Sequence, residues 1–191
     1  MAKARSIPDL SADEPMAAAA AKILAIRSQE LADHSRGVLD VTDIERLHDM
    51  RVATRRLRAA LEVFEASYPR KAHKAALKEV KEIADALGER RDRDVAIASL
   101  ERFQKKLAAP DRRGVESLLE NLRLEQAEAN EALRTFVTNE RVAELRQRLG
   151  ELIADALVGL DTEETSTEGP PDALARSLAS ASAENGNGAL R

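Results

Sequence analysis

The sequence contains no cysteine and no tryptophan, and aromatic residues make up only 2% of its 191 residues. Without cysteine the chain forms no disulfide bond and no metal site with thiolate ligands, as is typical of cytoplasmic proteins. Because aromatic side chains are so scarce, the core must consist mainly of Leu, Ala, Val and Ile. Helices that pack closely through Ala and Leu would suit such a core.

Long apolar runs are also missing. No stretch approaches the run of about 18 apolar residues that a membrane-spanning helix needs. The first residues, M-A-K-A-R-S-I-P-D-L, lack the apolar region of a secretion signal. We therefore expect a cytoplasmic protein with no membrane partner.

The sequence shows no sustained alternation of apolar and polar residues, whereas Ala, Leu, Glu and Arg dominate it. This pattern predicts an all-α protein, an antiparallel bundle of about five or six helices. We expect helices over 16–37, 43–68, 70–87, 92–107, about 115–136 and 139–156, with breaks at Gly37, Pro69, Gly88 and Pro110. The expected domains are a disordered leader (1–15), the helical domain (16–158) and an acidic, low-complexity tail (159–191).

The most informative pattern lies between Leu47 and Leu61, where basic residues recur at helical spacing. On a helix, four of them fall within about 80° of arc, and the apolar residues cluster on the opposite side. These four form the first basic row: His48, Arg51, Arg55 and Arg58. The row runs along about 15 Å of helix, long enough to touch several charges of an extended polyanion.

The same spacing of basic residues returns 23 residues later. Its members form the second basic row: Lys71, Lys74, Lys78 and Lys81. Tyr68 and Pro69 separate the two helices, because the residue before a proline is pushed out of the helical conformation. A short turn is expected to fold the helices into an antiparallel hairpin with the two rows side by side.

The charge of this region has two interpretations. A charged stripe on one helix is usually no more than its solvated face. Between Arg46 and Lys81, however, ten Arg and Lys residues stand against four acidic residues, although the net charge of the chain is −4. Glu62, four residues after Arg58, is the acid that we expect to pair with a row. Because crowded like charges are unfavourable unless an anion relieves them, the pattern favours an anion-binding role.

Catalytic and metal sites are disfavoured. The pair His48-Asp49, together with His34, suggests a metal-dependent hydrolase, but the arginines on the face of His48 would repel a divalent cation. We expect His34 and His73 to be ordinary surface or boundary residues. The sequence contains no Gly-rich phosphate loop, no G-x-S-x-G and no H-E-x-x-H motif. We therefore expect no enzyme activity, no metal and no cofactor.

Nucleic acid and an acidic protein are the alternative partners for such a basic surface. Proteins that bind single strands stack the bases on aromatic side chains. Here Phe64, Phe103 and Phe136 are all predicted to lie on apolar helix faces. Cations without stacking groups favour a phosphate polymer that has no bases.

Two motifs resemble those of the CHAD domain family. The first motif, H-x-x-R-V-x-x-R-R-x-R, is matched by His48, Arg51, Val52, Arg55, Arg56 and Arg58. The second motif, L-G-x-x-R-D-x-D-V, is matched by Leu87, Gly88, Arg91, Asp92, Asp94 and Val95. The resemblance covers roughly residues 16–158. It implies a helical bundle that binds inorganic polyphosphate through a basic surface, often in organisms with polyphosphate granules. It adds Arg56 and Arg91 to the candidate binding residues.

The chain departs from the family pattern in one respect. Family members resemble two similar halves, and the second half has its own basic helix with a histidine. This chain has no histidine after His73, so it resembles the first half alone. A symmetric dimer would restore the missing half. A degenerate member with weaker binding and a fragment of a longer protein are the alternatives.

Overall fold

A computed structural model of the chain describes residues 3–166, with side chains up to residue 158. This part is all-helical, as predicted, with five α-helices and no strand. The helices are α1 (Met16–Ser35), α2 (Ile44–Val63), α3 (Arg70–Gln104), α4 (Arg112–Arg134) and α5 (Asn139–Ser166). Two short 3-10 helices, Glu65–Ser67 and Ala109–Asp111, precede α3 and α4.

The helices pack around a core built mainly from aliphatic side chains, as the scarcity of aromatics predicts. α1 packs against α2 and α5, and α3 packs against α2 and α4. The largest fully buried apolar side chains are Leu24, Leu31, Leu47, Met50, Leu57, Leu61, Leu87, Leu133, Leu145, Leu149 and Leu152. Within the described residues, no helix is both long enough and apolar enough to span a membrane.

The main difference from the predicted helices lies at Gly88. We expected a break there and a separate helix from Asp92, but α3 runs without interruption over 35 residues. A glycine inside a helix costs only about 1 kcal/mol. The side chains of Leu87, Arg90 and Asp94, in the turns around Gly88, are buried, and this packing holds the helix together across the glycine. The predicted third and fourth helices are therefore one.

The ends of the first and the last helix can be compared with the predicted ones. Gly37 follows the end of α1 with a φ of 72°, a conformation that glycine adopts without strain, so the predicted stop is confirmed. At the other end, α5 continues to Ser166, past the boundary predicted at residue 159. The rest of the predicted tail, 167–191, lies outside the described residues.

Residues 3–15, which belong to the predicted leader, contain no helix but lie against α1. The backbone N–H of Arg5 donates to Glu30 Oε1 on α1 at 2.6 Å. Lys22 of α1 forms an ion pair with Glu14 at 2.7 Å. These bonds hold this segment against α1, where a disordered leader was expected.

Two buried rings hold the turn between α2 and α3. His73 Nε2 lies 2.9 Å from the carbonyl oxygen of Leu61, and the hydroxyl of Tyr68 donates to the carbonyl oxygen of Ala20 on α1 at 3.2 Å. The two rings stack with their centroids 6.0 Å apart, and burial raises the pKa of Tyr68 to about 12. The expected hairpin is confirmed. The prediction that His73 is a surface or boundary residue is wrong, because its ring is part of the packing at the turn.

A buried polar network ties α3 to α4 and to the connection between α1 and α2. Arg90 is fully buried on α3. It donates one hydrogen bond from Nε to Asp94 at 3.0 Å and another from Nη1 to Asn130 of α4. Asn130 donates to the carbonyl oxygen of Leu39 at 3.1 Å, and Gln126 donates to Asp94. A buried charge is tolerated only when it is paired and hydrogen-bonded. Asp94, which we expected at the start of a helix, lies inside α3 and fixes Arg90.

Loss of the Asp94 carboxylate should destabilise the fold strongly. The substitution Asp94→Ala leaves Arg90 buried without its counterion, and we expect the free energy of unfolding to fall by about 3–5 kcal/mol, measured by urea denaturation. The control Glu89→Ala removes the carboxylate of the exposed Glu89–Arg93 pair and should cost less than about 1 kcal/mol. Equal losses in the two variants would contradict the role assigned to the buried pair.

Candidate functional site

α2 presents the first basic row to solvent because its opposite face is buried. Five side chains of that face are fully buried: Leu47, Met50, Ala53, Leu57 and Leu61. Of the row itself, Arg51 and Arg55 are exposed, while His48 and Arg58 are half-buried. The row therefore lies at the surface of the bundle.

The N-terminal half of α3 presents the second basic row in the same way. The buried residues of this half include Ala76, Val80, Ile83 and Leu87. Lys71, Lys74 and Lys78 are exposed, and Lys81 is half-buried. Each row is thus the outward face of a helix whose inward face is apolar.

Two contacts at opposite ends of the hairpin set how α2 and α3 lie beside each other. Near the turn, His73 of α3 bonds to Leu61 of α2. Far from the turn, Arg91 Nη1 donates to the carbonyl oxygen of Ile44, the first residue of α2, at 3.2 Å. The helices are therefore antiparallel, and the second row begins beside the end of α2.

Glu62 connects the two rows. Its Oε1 lies 3.0 Å from Arg58 Nε and 3.4 Å from Lys81 Nζ. One member of each row therefore contacts the same carboxylate on the same side of the hairpin. The hydrogen bond from Arg58 outweighs the slight burial of the carboxyl group and, together with Lys81, lowers the pKa of Glu62. The carboxylate is consequently charged at neutral pH.

Four members of the rows form no ion pair with any side chain that the structure describes: Arg51, Arg55, Lys71 and Lys74. Lys78 lies 3.7 Å from Glu82, four residues further along α3. This pair was not predicted from the sequence, although residues spaced i, i+4 on a helix are neighbours. Exposed cations of one sign, without carboxylate partners, are suited to contacts with an anion.

The two residues added by the family resemblance occupy other positions. Arg56 is half-buried near Glu30 of α1. Burial by itself would raise the pKa of Glu30, but the backbone N–H of Arg5 and the guanidinium of Arg27 outweigh that effect and lower it, and the charge of Arg56 makes a smaller contribution in the same direction. Arg91 is half-buried and bonded to the first residue of α2. The structure thus places Arg56 toward α1 and Arg91 at the start of α2.

The histidines do not converge on one point. His73 is in the core, whereas His34 and Asp49 line a shallow depression of about 250 Å³ together with Arg36 and Arg46. Guanidinium groups in that depression disfavour a divalent cation. Within the described residues, no group of three or more His, Asp or Glu side chains is placed to hold a metal ion.

The phenylalanines only partly follow the prediction. Phe64 and Phe136 pack against the core, but Phe103 is 52% exposed, so the expectation that all three lie on apolar faces is wrong for Phe103. This ring lies near the C-terminal end of α3, about 33 Å along the helix axis from Lys81. It is therefore no stacking platform beside the basic rows.

Comparison with known proteins identifies the family. Residues 22–186 match the CHAD domain. This span contains both motifs noted in the sequence and extends past residue 158, where we expected the resemblance to end. No curated protein matches the chain significantly. Because the match covers most of the chain, the protein belongs to the CHAD domain family.

Proposed function

We propose that the protein binds inorganic polyphosphate through its two basic rows and catalyses no reaction. The observation that carries the proposal is the presence, on two adjacent antiparallel helices, of four exposed cations that form no ion pair within the described part of the chain: Arg51, Arg55, Lys71 and Lys74. Membership of the CHAD family supports it, because that domain is associated with polyphosphate binding.

The chemistry of the rows matches a linear phosphate polymer. Arginine and lysine make short, charge-assisted hydrogen bonds to phosphate oxygens, and such bonds are stronger than those between neutral groups. Arg51 and Arg55 stand one helical turn apart, as do Lys74 and Lys78, and like charges at this spacing repel each other. A bound polyanion would relieve that repulsion, so binding and folding of the hairpin would support each other.

The remaining candidates have supporting roles in this proposal. The two rows are extended by His48, Arg58, Lys78 and Lys81. Arg56 and Arg91 are half-buried, and their charges add to the positive potential of the surface. The protein would act in the cytoplasm, and at polyphosphate granules where these exist. A homodimer would place a second pair of rows beside the first and so lengthen the contact with one polymer.

Competition between polyanions tests the proposal directly. At fixed salt, unlabelled polyphosphate should displace labelled polyphosphate at a lower concentration of anionic groups than either RNA or heparin. The affinity should also fall with salt, by roughly 0.7 to 0.9 log units per contact for each log unit of salt, because neutralised phosphates release counterions. Stronger displacement by RNA would indicate a nucleic-acid binder. An affinity that salt does not change would indicate an apolar protein interface.

Charge reversal within the first row should abolish most of the binding. The double variant Arg51→Glu, Arg55→Glu removes two contacts with phosphate, each worth about 1.5–3 kcal/mol, and adds repulsion between the new carboxylates and the polymer. We therefore expect the affinity, measured by fluorescence anisotropy, to fall about 100-fold or more. The control Arg112→Glu, Arg113→Glu changes the net charge equally at two exposed positions of α4. If both variants lost affinity equally, net charge rather than the row would explain binding.

A further inference from the structure

Among the carboxylates of the hairpin, Glu62 has an unusual position. It is on α2 but contacts cations of both helices, Arg58 at 3.0 Å and Lys81 at 3.4 Å, through a single oxygen. Glu82 contacts one lysine of its own helix, at 3.7 Å. Glu79 is buried and faces α5, where it pairs with Arg148 at 3.1 Å. Glu62 is thus the carboxylate that occupies the junction between the two rows.

We propose that Glu62 is a built-in competitor of the bound anion, which lowers the affinity of the basic rows for polyphosphate. This inference rests on the proposed function. A phosphate that approaches Arg58 and Lys81 meets a carboxylate that already occupies hydrogen-bonding positions of both cations. The phosphate must displace that carboxylate or lie beside its negative charge, and either event costs binding free energy.

The charge and exposure of Glu62 make it effective in this role. The hydrogen bond from Arg58 lowers the pKa of Glu62, so the group keeps its charge at neutral pH. Its side chain is 42% exposed, so an anion at the surface can reach it. Exposed ion pairs contribute little to the stability of a fold. The carboxylate can therefore be removed without damage to the hairpin, and its effect on binding can be measured separately.

Removal of the charge should strengthen binding. The variant Glu62→Gln keeps the shape of the side chain and loses only the charge. At low salt, we expect it to bind inorganic polyphosphate of one defined chain length about 3- to 10-fold more tightly than the unchanged protein does. The salt dependence should become steeper, because Arg58 and Lys81 are then free to make additional phosphate contacts that release counterions. Fluorescence anisotropy across a salt series measures both quantities.

Two comparisons separate this role from a general effect of charge. Glu131→Gln changes the net charge by the same amount at an exposed site on α4, where the carboxylate pairs with Arg134 of the same helix. This control should alter the affinity by less than about 2-fold. In a background that already carries Arg58→Ala and Lys81→Ala, the gain from Glu62→Gln should largely disappear. Such a double-mutant cycle isolates the coupling between Glu62 and these two cations.

The outcomes distinguish the two proposals. Failure of the unchanged protein to bind polyphosphate would overturn the proposed function and this inference together. Binding by the unchanged protein, with an affinity that Glu62→Gln leaves equal or lowers, would overturn the inference alone, as would an equal gain in Glu131→Gln. Circular dichroism confirms that each variant is folded, and Glu62→Ala replaces Glu62→Gln in the comparison if the latter does not fold.

Discussion

The placement of the cations depends on the apolar packing between α2 and α3. Each helix buries one face, and burial contributes about 25 cal/mol for every Å² of apolar surface. A repulsive pair of like charges one turn apart costs only about 0.2–0.5 kcal/mol. Burial of residues such as Leu57 and Val80 therefore outweighs the repulsion along the rows, and the hairpin can keep its cations exposed and close together.

The two family motifs serve different purposes in this chain. The first motif supplies exposed cations from α2, whereas the second lies within α3 and contributes to the core. Leu87 packs among the apolar side chains, and Asp94 fixes the buried Arg90. Aliphatic side chains alone define the packing of a core less specifically than aromatic ones do, and the hydrogen bonds of the buried network add directional contacts. The second motif thus holds the hairpin in the geometry that presents the first.

Periodicity predicted the parts of the fold that depend on local spacing. The buried faces of α2 and α3, the stop at Gly37 and the hairpin at Pro69 all follow from residues close in sequence. The prediction failed where distant contacts decide: Gly88 stays helical because its neighbours are buried, and His73 is in the core because it meets Leu61 across the turn. The position of Glu62 between the rows also needed the structure, because its contact with Lys81 joins two helices.

The unbroken course of α3 has a mechanical consequence. A helix of 35 residues is about 52 Å long at 1.5 Å per residue. Its first half carries the lysine row, and its second half, through Arg90, is bonded to α4. Since no loop interrupts this rod, the lysine row cannot tilt without moving the far end of α3 and the helix bonded to it. A partner that binds where α3 contacts α4 would therefore also affect the orientation of the second basic row.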